Sequence, residues 1–538
     1  MKRNFKNLNQ KNFDLIVIGG GIIGTGIARD AALRGLDTLL VEKEDFACGT
    51  TSSSTRLIHG GLRYLRMFDF KLVRQDLLER EILMHIAPHL LDRLAFIIPL
   101  LRSEPLYRIS LPIGLCLYDI LASGKSLPSR KRLSRDETLN LEPALASIPD
   151  LVGSYLFYDC QARYMERLCL ENALSAAGNN ACILNHTEAT GFLADGNTIR
   201  GINLQDNITG REYIARGRMV INAAGPGADL IWNKVHLNRQ NNLRRTKGIH
   251  LVTRKLTSQA LFLFAKSDDR VFFVIPWNGY SLIGTTDTDY TDDLDRVSAG
   301  STDVDYLVSE TCNYFPQFTR DDICYTMAGL RALVAASKKK ESNTSRAHKL
   351  IDHQHKNGVT GLISILGGKI TAYRAIAEEA VNLVCKKIMK NMLCTTAQTP
   401  LPGYPAIRQE DALKISREKD IPFETISYLA GIYGSRLASV LAYVDQDNRL
   451  GENIIPGYPD IFAQIKHAVL EEEALTVSDF MLRRSVLGLS HNQGRNAVEP
   501  VAQEMGLLLG WDNKEKQKQI REYLDLVDLS QSFRKGVV

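Results

Sequence analysis

The architecture turns on Asp14-Leu15-Ile16-Val17-Ile18-Gly19-Gly20-Gly21-Ile22-Ile23-Gly24, an apolar run that ends abruptly in glycines. Leu15 to Ile18 reads as a buried strand, and Gly19-x-Gly21-x-x-Gly24, with Gly20 in the same turn, follows it without a gap. Each glycine has a physical reason. Gly19 permits the tight turn, Gly21 lets the backbone approach a pyrophosphate, and Gly24 lets a helix pack closely on its strand. A helix is predicted through Ala28 to Leu33, ended by Gly35, with its N-terminus facing the phosphate charge. The strand Thr38 to Val41 then delivers Glu42, roughly 20 residues past the glycines, where a carboxylate accepts ribose hydroxyl hydrogen bonds and repels a 2′-phosphate. NADP is therefore disfavoured, while the spacing itself does not separate FAD from NAD.

Outward from this βαβ unit, strand-like runs recur at Met219-Val220-Ile221, Val271 to Ile275, Ser281-Leu282-Ile283 and Leu362-Ile363-Ser364-Ile365, enough to build a second sheet. Pro400-Leu401-Pro402-Gly403-Tyr404-Pro405 reads as a linker. Beyond it Ile426, Leu429, Ala430, Tyr433, Leu437 and Leu441 stand at one-face helical spacing. Two later stripes do the same, Val498, Val501, Ala502, Met505, Leu508 and Leu509, then Ile520, Tyr523, Leu524 and Val527. The predicted fold is α/β: a Rossmann-like dinucleotide-binding domain with an interleaved mixed-sheet substrate domain over 1–400, and an all-helical domain over 401–538.

A chain of 538 residues with 44% hydrophobic and 24% charged residues is globular and large enough to enclose a sizeable cofactor. Its formal net charge of only +5 gives no overall field for nucleic acid. Basic runs are local: Arg130-Lys131-Arg132, Arg244-Arg245-Thr246-Lys247 and Lys338-Lys339-Lys340, with Arg244-Arg245 expected in a solvated loop. The nine cysteines form neither CxxC pairs nor zinc-spaced clusters, so no metal and no disulfide framework is expected. Met1-Lys2-Arg3-Asn4 is basic, but no secretory apolar region follows, and export is not expected. No uncharged run reaches the ~18 residues of a spanning helix. The most lipophilic one, Ile109 to Tyr118, is expected to be broken by Pro112 and Gly114, so any membrane contact would be at the surface.

After the glycine unit comes Thr51-Ser52-Ser53-Ser54-Thr55-Arg56-Leu57-Ile58-His59-Gly60-Gly61-Leu62-Arg63-Tyr64-Leu65. Further on stand Lys247-Gly248-Ile249-His250, Ile275-Pro276-Trp277, Ile283-Gly284-Thr285-Thr286-Asp287, Ala328-Gly329-Leu330-Arg331 and Gly367-Gly368-Lys369-Ile370-Thr371-Ala372-Tyr373-Arg374. A stretch from Glu471 to Arg484 closes the series. In that order these motifs resemble the FAD-dependent glycerol-3-phosphate dehydrogenases along nearly the whole chain.

The resemblance implies FAD as cofactor, held by Gly19, Gly20, Gly21, Gly24, Glu42, Ser52, Ser53, His59, Gly60, Gly61, Gly225, Gly367, Gly368, Lys369 and Thr371. Gly225 belongs to Asn222-Ala223-Ala224-Gly225-Pro226-Gly227, which resembles a second contact to the adenosine side. Gly367 and Gly368 resemble the loop whose amides face the flavin pyrimidine and stabilise the charge that develops on reduction. Arg63, Tyr64, His250, Arg331, Arg346 and Lys369 are implied around a phosphorylated polyol, with His250, Arg331, Lys369 and Arg63 as the catalytic set. Two arginines suit bidentate phosphate recognition, which assigns Arg331 and Arg346 to the phosphate. His250 is the expected base for the hydroxyl proton, on the ground that imidazole titrates near working pH.

The implied reaction takes sn-glycerol 3-phosphate to dihydroxyacetone phosphate and passes the electrons to a membrane quinone. The implied protein is a homodimer, cytoplasmic and peripherally attached to the inner face of the cytoplasmic membrane. Three departures stand out. Arg331-Ala332-Leu333 replaces the family's Arg-Pro-Leu, so a less rigid loop is expected there; Tyr164-Met165-Glu166 replaces Asp-Ala-Arg; and Gly227 replaces a tryptophan. Rival readings are an oxygen-reducing oxidase on the same fold, an amine-oxidising flavoprotein, and a non-catalytic flavin-binding sensor.

Overall fold

A computed structural model describes residues 1–122, 124–234, 243–334 and 348–534. The strand Asn12–Ile18 forms as expected and becomes the middle of a parallel array ordered Leu362–Leu366, Glu212–Asn222, Asn12–Ile18, Thr38–Val41 and Cys182–Leu184. Lys349–Asp352 adds an antiparallel edge, and the hairpin Thr187–Asp195 with Thr198–Asp206 extends the sheet through the first half of Glu212–Asn222. Both faces are covered, which is why the central strands are apolar without alternation. Helices Ile22–Leu33, Met165–Gly178 and Tyr373–Lys387 cover one face, while Ile16, Ile18, Leu39 and Val41 pack toward Ile199, Ile202 and Trp232 on the other.

The second sheet is mixed and ten-stranded. Leu243–Arg254 pairs with both Ile323–Val334 and Tyr280–Gly284, and Val271–Trp277 and Ala260–Phe264 lead on to Leu91–Leu101 and Leu151–Ala162. Of the four runs expected to build it, Val271 to Ile275 and Ser281 to Ile283 do so, whereas Met219 to Ile221 and Leu362 to Ile365 belong to the first sheet. Arg244 and Arg245 correct a second expectation. They lie in a strand rather than a loop, Arg244 paired to Asp289 at 2.7 Å and Arg245 Nε donating to the Pro226 carbonyl at 2.8 Å.

Ile109 to Tyr118 also departs from expectation, forming the middle of one unbroken helix, Pro105–Leu121, that runs through Pro112 and Gly114. A proline inside a helix removes one hydrogen bond but need not end it when the flanking turns are held. Here Leu111, Leu115 and Tyr118 anchor those turns in the core on one face of the second sheet. Among the described residues, no helix is long and apolar enough to cross a membrane.

The C-terminal helical domain follows the predicted stripes with one break. Phe423–Tyr433 and Leu437–Val444 are separate helices because Gly434 takes φ 51, where a side chain would overlap the Gly403 carbonyl. Buried charges join this domain to the first sheet. Arg167 donates to both oxygens of Glu472 at 2.8 Å, and Arg436 adds a third contact at 3.0 Å. Burial raises the Glu472 carboxyl, but Arg167 foremost outweighs this and holds it well below the usual range. Losing one partner of such a pair costs about 3–5 kcal/mol. Asp45, three residues past Glu42, joins His186 and Asp479 in a buried cluster whose cations are Arg483 and Arg484.

Beside that cluster Glu473 is strained (φ 56) and buried, and neither carboxylate oxygen has a hydrogen-bond partner. Burial pushes its carboxyl from 4.5 up to about 8. The folded chain thus keeps a proton that the unfolded chain releases at lower pH, so this site's contribution to stability declines as pH rises from 4.5 through about 8. Glu473→Gln is expected to raise Tm at pH 8 by several degrees and to leave it unchanged near pH 4.5. Thermal melts across that range check this, and identical melting at pH 8 contradicts it.

Candidate active site

The helix Ile22–Leu33 begins at Gly21, which offers no side-chain cap, and its first turn carries no acidic residue. Its N-terminus is therefore shaped for an anion. An added Cβ at Gly24 would overlap the Gly19 carbonyl, and one at Gly19 would come 2.6 Å from the Ala223 carbonyl oxygen. The first turn thus packs directly on the loop that leads to Gly225 (φ 53). Glu42 accepts from Gly20 N at 2.6 Å and Glu44 N at 3.0 Å, and burial raises its carboxyl. On the far side Gly367 and Gly368 take φ 70 and 107, and a Cβ at Gly368 would sit 2.8 Å from Ile376 and 3.1 Å from Ile23. The cradle fits a dinucleotide such as FAD: a helix N-terminus with no acidic residue in its first turn, a ribose-seeking carboxylate and a second glycine loop beside the same helix. Gly24→Val is expected to give essentially flavin-free protein. Absorbance near the flavin band after purification checks it, and full yellow colour contradicts it.

The segment from Thr50 to Tyr64 stitches this cradle to the second sheet. Thr51 Oγ1 accepts from Ile22 N at 3.1 Å, and Thr50 donates to the Leu330 carbonyl at 2.7 Å. Ser52 turns back on the Gly49 carbonyl at 3.0 Å, and Ser53 abuts Gly329, whose Cβ would lie 2.6 Å away. Thr55 Oγ1 lies 2.9 Å from His250 Nε2. His59 N donates to Thr371 Oγ1 at 3.2 Å, joining the Gly60-Gly61 turn to the Gly367-Gly368 loop.

Two clusters of candidate side chains hang on this segment. In the first, Lys369 Nζ pairs with Asp76 and lies 3.7 Å from the Tyr64 ring centroid, while Arg63 donates to the Tyr64 hydroxyl at 3.2 Å and stacks on the same ring. Burial pushes the Asp76 carboxyl up to about 6, even against the opposing charge of Lys369. In the second, His250 and Arg331 stand on paired strands, His250 opposite Met327 and Arg331 opposite Thr246, with Gly248 opposite Gly329 between them. A side chain at Gly248 would collide with the Arg331 guanidinium, so the glycine lets that group lie across the strand. Arg331 donates to Asp287 at 3.0 Å and to Thr285 at 2.8 Å. Strand alternation gives His250 the parity of Val252, whose core also contains Tyr64, so both clusters belong to the same side of the sheet.

Two expectations change, and one departure from the family finds a partner. Arg331-Ala332-Leu333 is strand rather than loop, paired with Thr246, Arg245 and Arg244, so the missing proline does not loosen the arginine. Glu166, at the position where the family has arginine, holds buried Arg56 through both oxygens at 2.6 and 2.8 Å. His250 does not titrate near working pH. Burial first, then Arg331 and Arg56, push it down to about 3, leaving a neutral ring whose Nδ1 has no hydrogen-bond partner. Arg346 lies outside the described residues. The partners Thr55, Asp76 and Asp287 had no assigned role in the sequence. Asp76 had a signal, standing on the buried stripe Val73, Asp76, Leu77, Arg80 and Leu83 of the helix Phe70–Ile86, where an apolar residue is the norm.

A glycine-lined dinucleotide cleft opening onto a mixed sheet with a neutral histidine and a clustered set of cations defines a flavin-dependent oxidoreductase. The family model for FAD dependent oxidoreductases matches residues 14–374, and that for the C-terminal domain of alpha-glycerophosphate oxidase matches 394–516. The sequence is 40% identical to a glycerol-3-phosphate dehydrogenase of Synechocystis sp., with 98% of each chain covered. It is 33% identical to the aerobic glycerol-3-phosphate dehydrogenase of Staphylococcus haemolyticus, covering 96% of this chain and 94% of that one. The crystal structure of the Bacillus halodurans glycerol-3-phosphate dehydrogenase complexed with FAD superposes with a TM-score of 0.81 at 29% identity, over 97% and 96% of the two chains. The chain belongs to the FAD-dependent glycerol-3-phosphate dehydrogenase family.

Proposed function

We propose that this chain oxidises sn-glycerol 3-phosphate to dihydroxyacetone phosphate and passes the electrons to a membrane quinone. The observation that carries the reading is the glycine floor of Gly248 and Gly329, with neutral His250 and cationic Arg331 on the same side of one sheet. Bound FAD supplies the two-electron acceptor for the hydrogen on C2. Arg331, Arg346 and Lys369 take the phosphate, Arg331 as a fork preset by Asp287 and Thr285. His250 receives the hydroxyl proton, with Thr55 orienting the ring through Nε2. Arg63 and Tyr64 bound the pocket beside Lys369. Gly19, Gly20, Gly21, Gly24, Glu42, Gly225, Gly367 and Gly368 hold the cofactor, with Ser52, Ser53, His59, Gly60, Gly61 and Thr371 completing its wall.

The same reading divides the chain at residue 400 into a catalytic part and a helical domain, and takes the protein as a cytoplasmic homodimer attached peripherally to the inner face of the membrane. Steady-state turnover with sn-glycerol 3-phosphate and a short-chain quinone, run with and without oxygen, tests the acceptor. Quinone-dependent product with little peroxide is expected. Stoichiometric peroxide without quinone would move the assignment to an oxidase, and absence of turnover would favour a sensor.

A further inference from the structure

The helix Phe70–Ile86 buries three charged side chains, Asp76, Glu79 and Arg80. Two of them are held in well-satisfied pairs: Glu79 accepts from Arg374 through both oxygens at 2.6 and 2.8 Å, and Arg80 donates to Asp159 at 2.6 Å. Asp76 differs. It meets the Lys369 ammonium through Oδ2 alone, and its Oδ1 is buried with no hydrogen-bond partner among the described residues. A buried pair left half-satisfied stabilises a fold poorly, because an apolar pair of similar volume serves packing as well or better. What Asp76 does to Lys369 is the better account of its presence.

Three groups confine that ammonium: the Asp76 carboxylate, the buried Tyr64 ring with its centroid 3.7 Å from Nζ, and Gly61, where an added Cβ would come within 3.2 Å of Nζ. The Lys369 side chain is only 10% exposed and that of Asp76 is fully buried. A flexible four-carbon stem is thus restricted before any ligand arrives. Burial pushes the Asp76 carboxyl up to about 6 against the charge of Lys369, so at pH 8 it is ionised.

We propose that Asp76 is a positioning residue for the oxidation of sn-glycerol 3-phosphate: it fixes the Lys369 ammonium in the reacting geometry and cancels part of the charge that a bound phosphate meets. This rests on the proposed function, in which Lys369 faces the substrate, and adds a group that acts through it. The two effects have opposite signs in kinetics. A cation held in one place favours the transition state, whereas a carboxylate beside it repels the phosphate of substrate and product alike. Asp76 therefore keeps the ground state from being bound too tightly relative to the transition state.

The test compares unmutated holoprotein at pH 8 with Asp76→Asn, which keeps the shape and removes the charge, and Asp76→Glu, which keeps the charge and shifts it by one methylene. Two quantities are read: the rate of flavin reduction at saturating sn-glycerol 3-phosphate, by stopped flow, and the affinity of the oxidised protein for inorganic phosphate, by calorimetry. Asp76→Asn should bind phosphate about tenfold more tightly and reduce its flavin about tenfold more slowly. Asp76→Glu should share the slower reduction at native phosphate affinity, and it carries the test alone if the asparagine variant does not fold. Unchanged or weaker phosphate binding in Asp76→Asn overturns the inference, since a merely structural role would weaken binding and rate together. So does a native reduction rate in either variant. Absence of flavin reduction in the unmutated chain would instead overturn the catalytic reading, and the phosphate titrations would still decide whether Asp76 opposes the anion.

Discussion

Arg331→Ala is expected to lower kcat/KM for sn-glycerol 3-phosphate by about three orders of magnitude, with most of the loss in KM. The guanidinium is held in place before substrate arrives, by Asp287 at 3.0 Å and Thr285 at 2.8 Å, and Gly248 clears the space it occupies. A phosphate reaching that fork makes charge-assisted bonds at little ordering cost, and truncating one partner of such a pair costs about 2–5 kcal/mol. Arg331→Lys should recover only part of the loss, because an ammonium cannot span two oxygens in a plane. Gly248→Ala should weaken binding in the same direction by displacing the arginine without removing it. Steady-state kinetics on flavin-replete protein check the series. Near-native KM in Arg331→Ala would remove this residue from the phosphate site.

His250→Asn is expected to slow flavin reduction at saturating substrate by about 10²–10⁴-fold, the usual range for a positioned base. The pH dependence is the sharper test. Burial foremost, with Arg331 and Arg56, pushes the imidazole of the ligand-free site down to about 3, so it is neutral throughout the physiological range, and a bound phosphate offsetting the two arginines raises its basicity. The reduction rate at limiting substrate, which reports the ligand-free site, should therefore show no ionisation of this group between about pH 5 and 8, where a base of ordinary pKa near 6.5 would lose roughly tenfold per unit on the acid side. Stopped-flow traces across that range decide it. Native rates in the asparagine variant would end the assignment, and an inflection near 6.5 that disappears in the variant would contradict the neutral, buried ring.

The cofactor half of the site was legible because its chemistry is local. Gly19 to Gly24 and the strand ending at Glu42 span fewer than 30 residues, and each glycine answers a steric demand that spacing alone expresses. Gly225 and Gly367-Gly368 needed the resemblance, since a glycine turn after a strand says nothing about which cleft it borders. The substrate half was less legible, being made of pairs far apart in the chain: Thr55 with His250, separated by 195 residues, and Asp76 with Lys369, by 293. Composition and periodicity carry no record of such pairs. Expectations failed where tertiary packing overrode a local rule. Pro112 stays inside a helix because Leu111 and Leu115 anchor both sides of it. Gly434 splits a continuous apolar stripe because the chain must turn tightly against Gly403 there. His250 loses the ordinary titration of histidine because the sheet buries it under two arginines.

The central claim is that the cations and the neutral histidine gathered on one side of the second sheet present sn-glycerol 3-phosphate to a flavin held by the glycine cradle. Anaerobic titration of the purified yellow protein with sn-glycerol 3-phosphate tests it most directly. Stoichiometric bleaching of the flavin band, with dihydroxyacetone phosphate formed in equal amount, is the predicted result. A flavin that stays oxidised with that substrate, or is bleached by an amino acid instead, would contradict it.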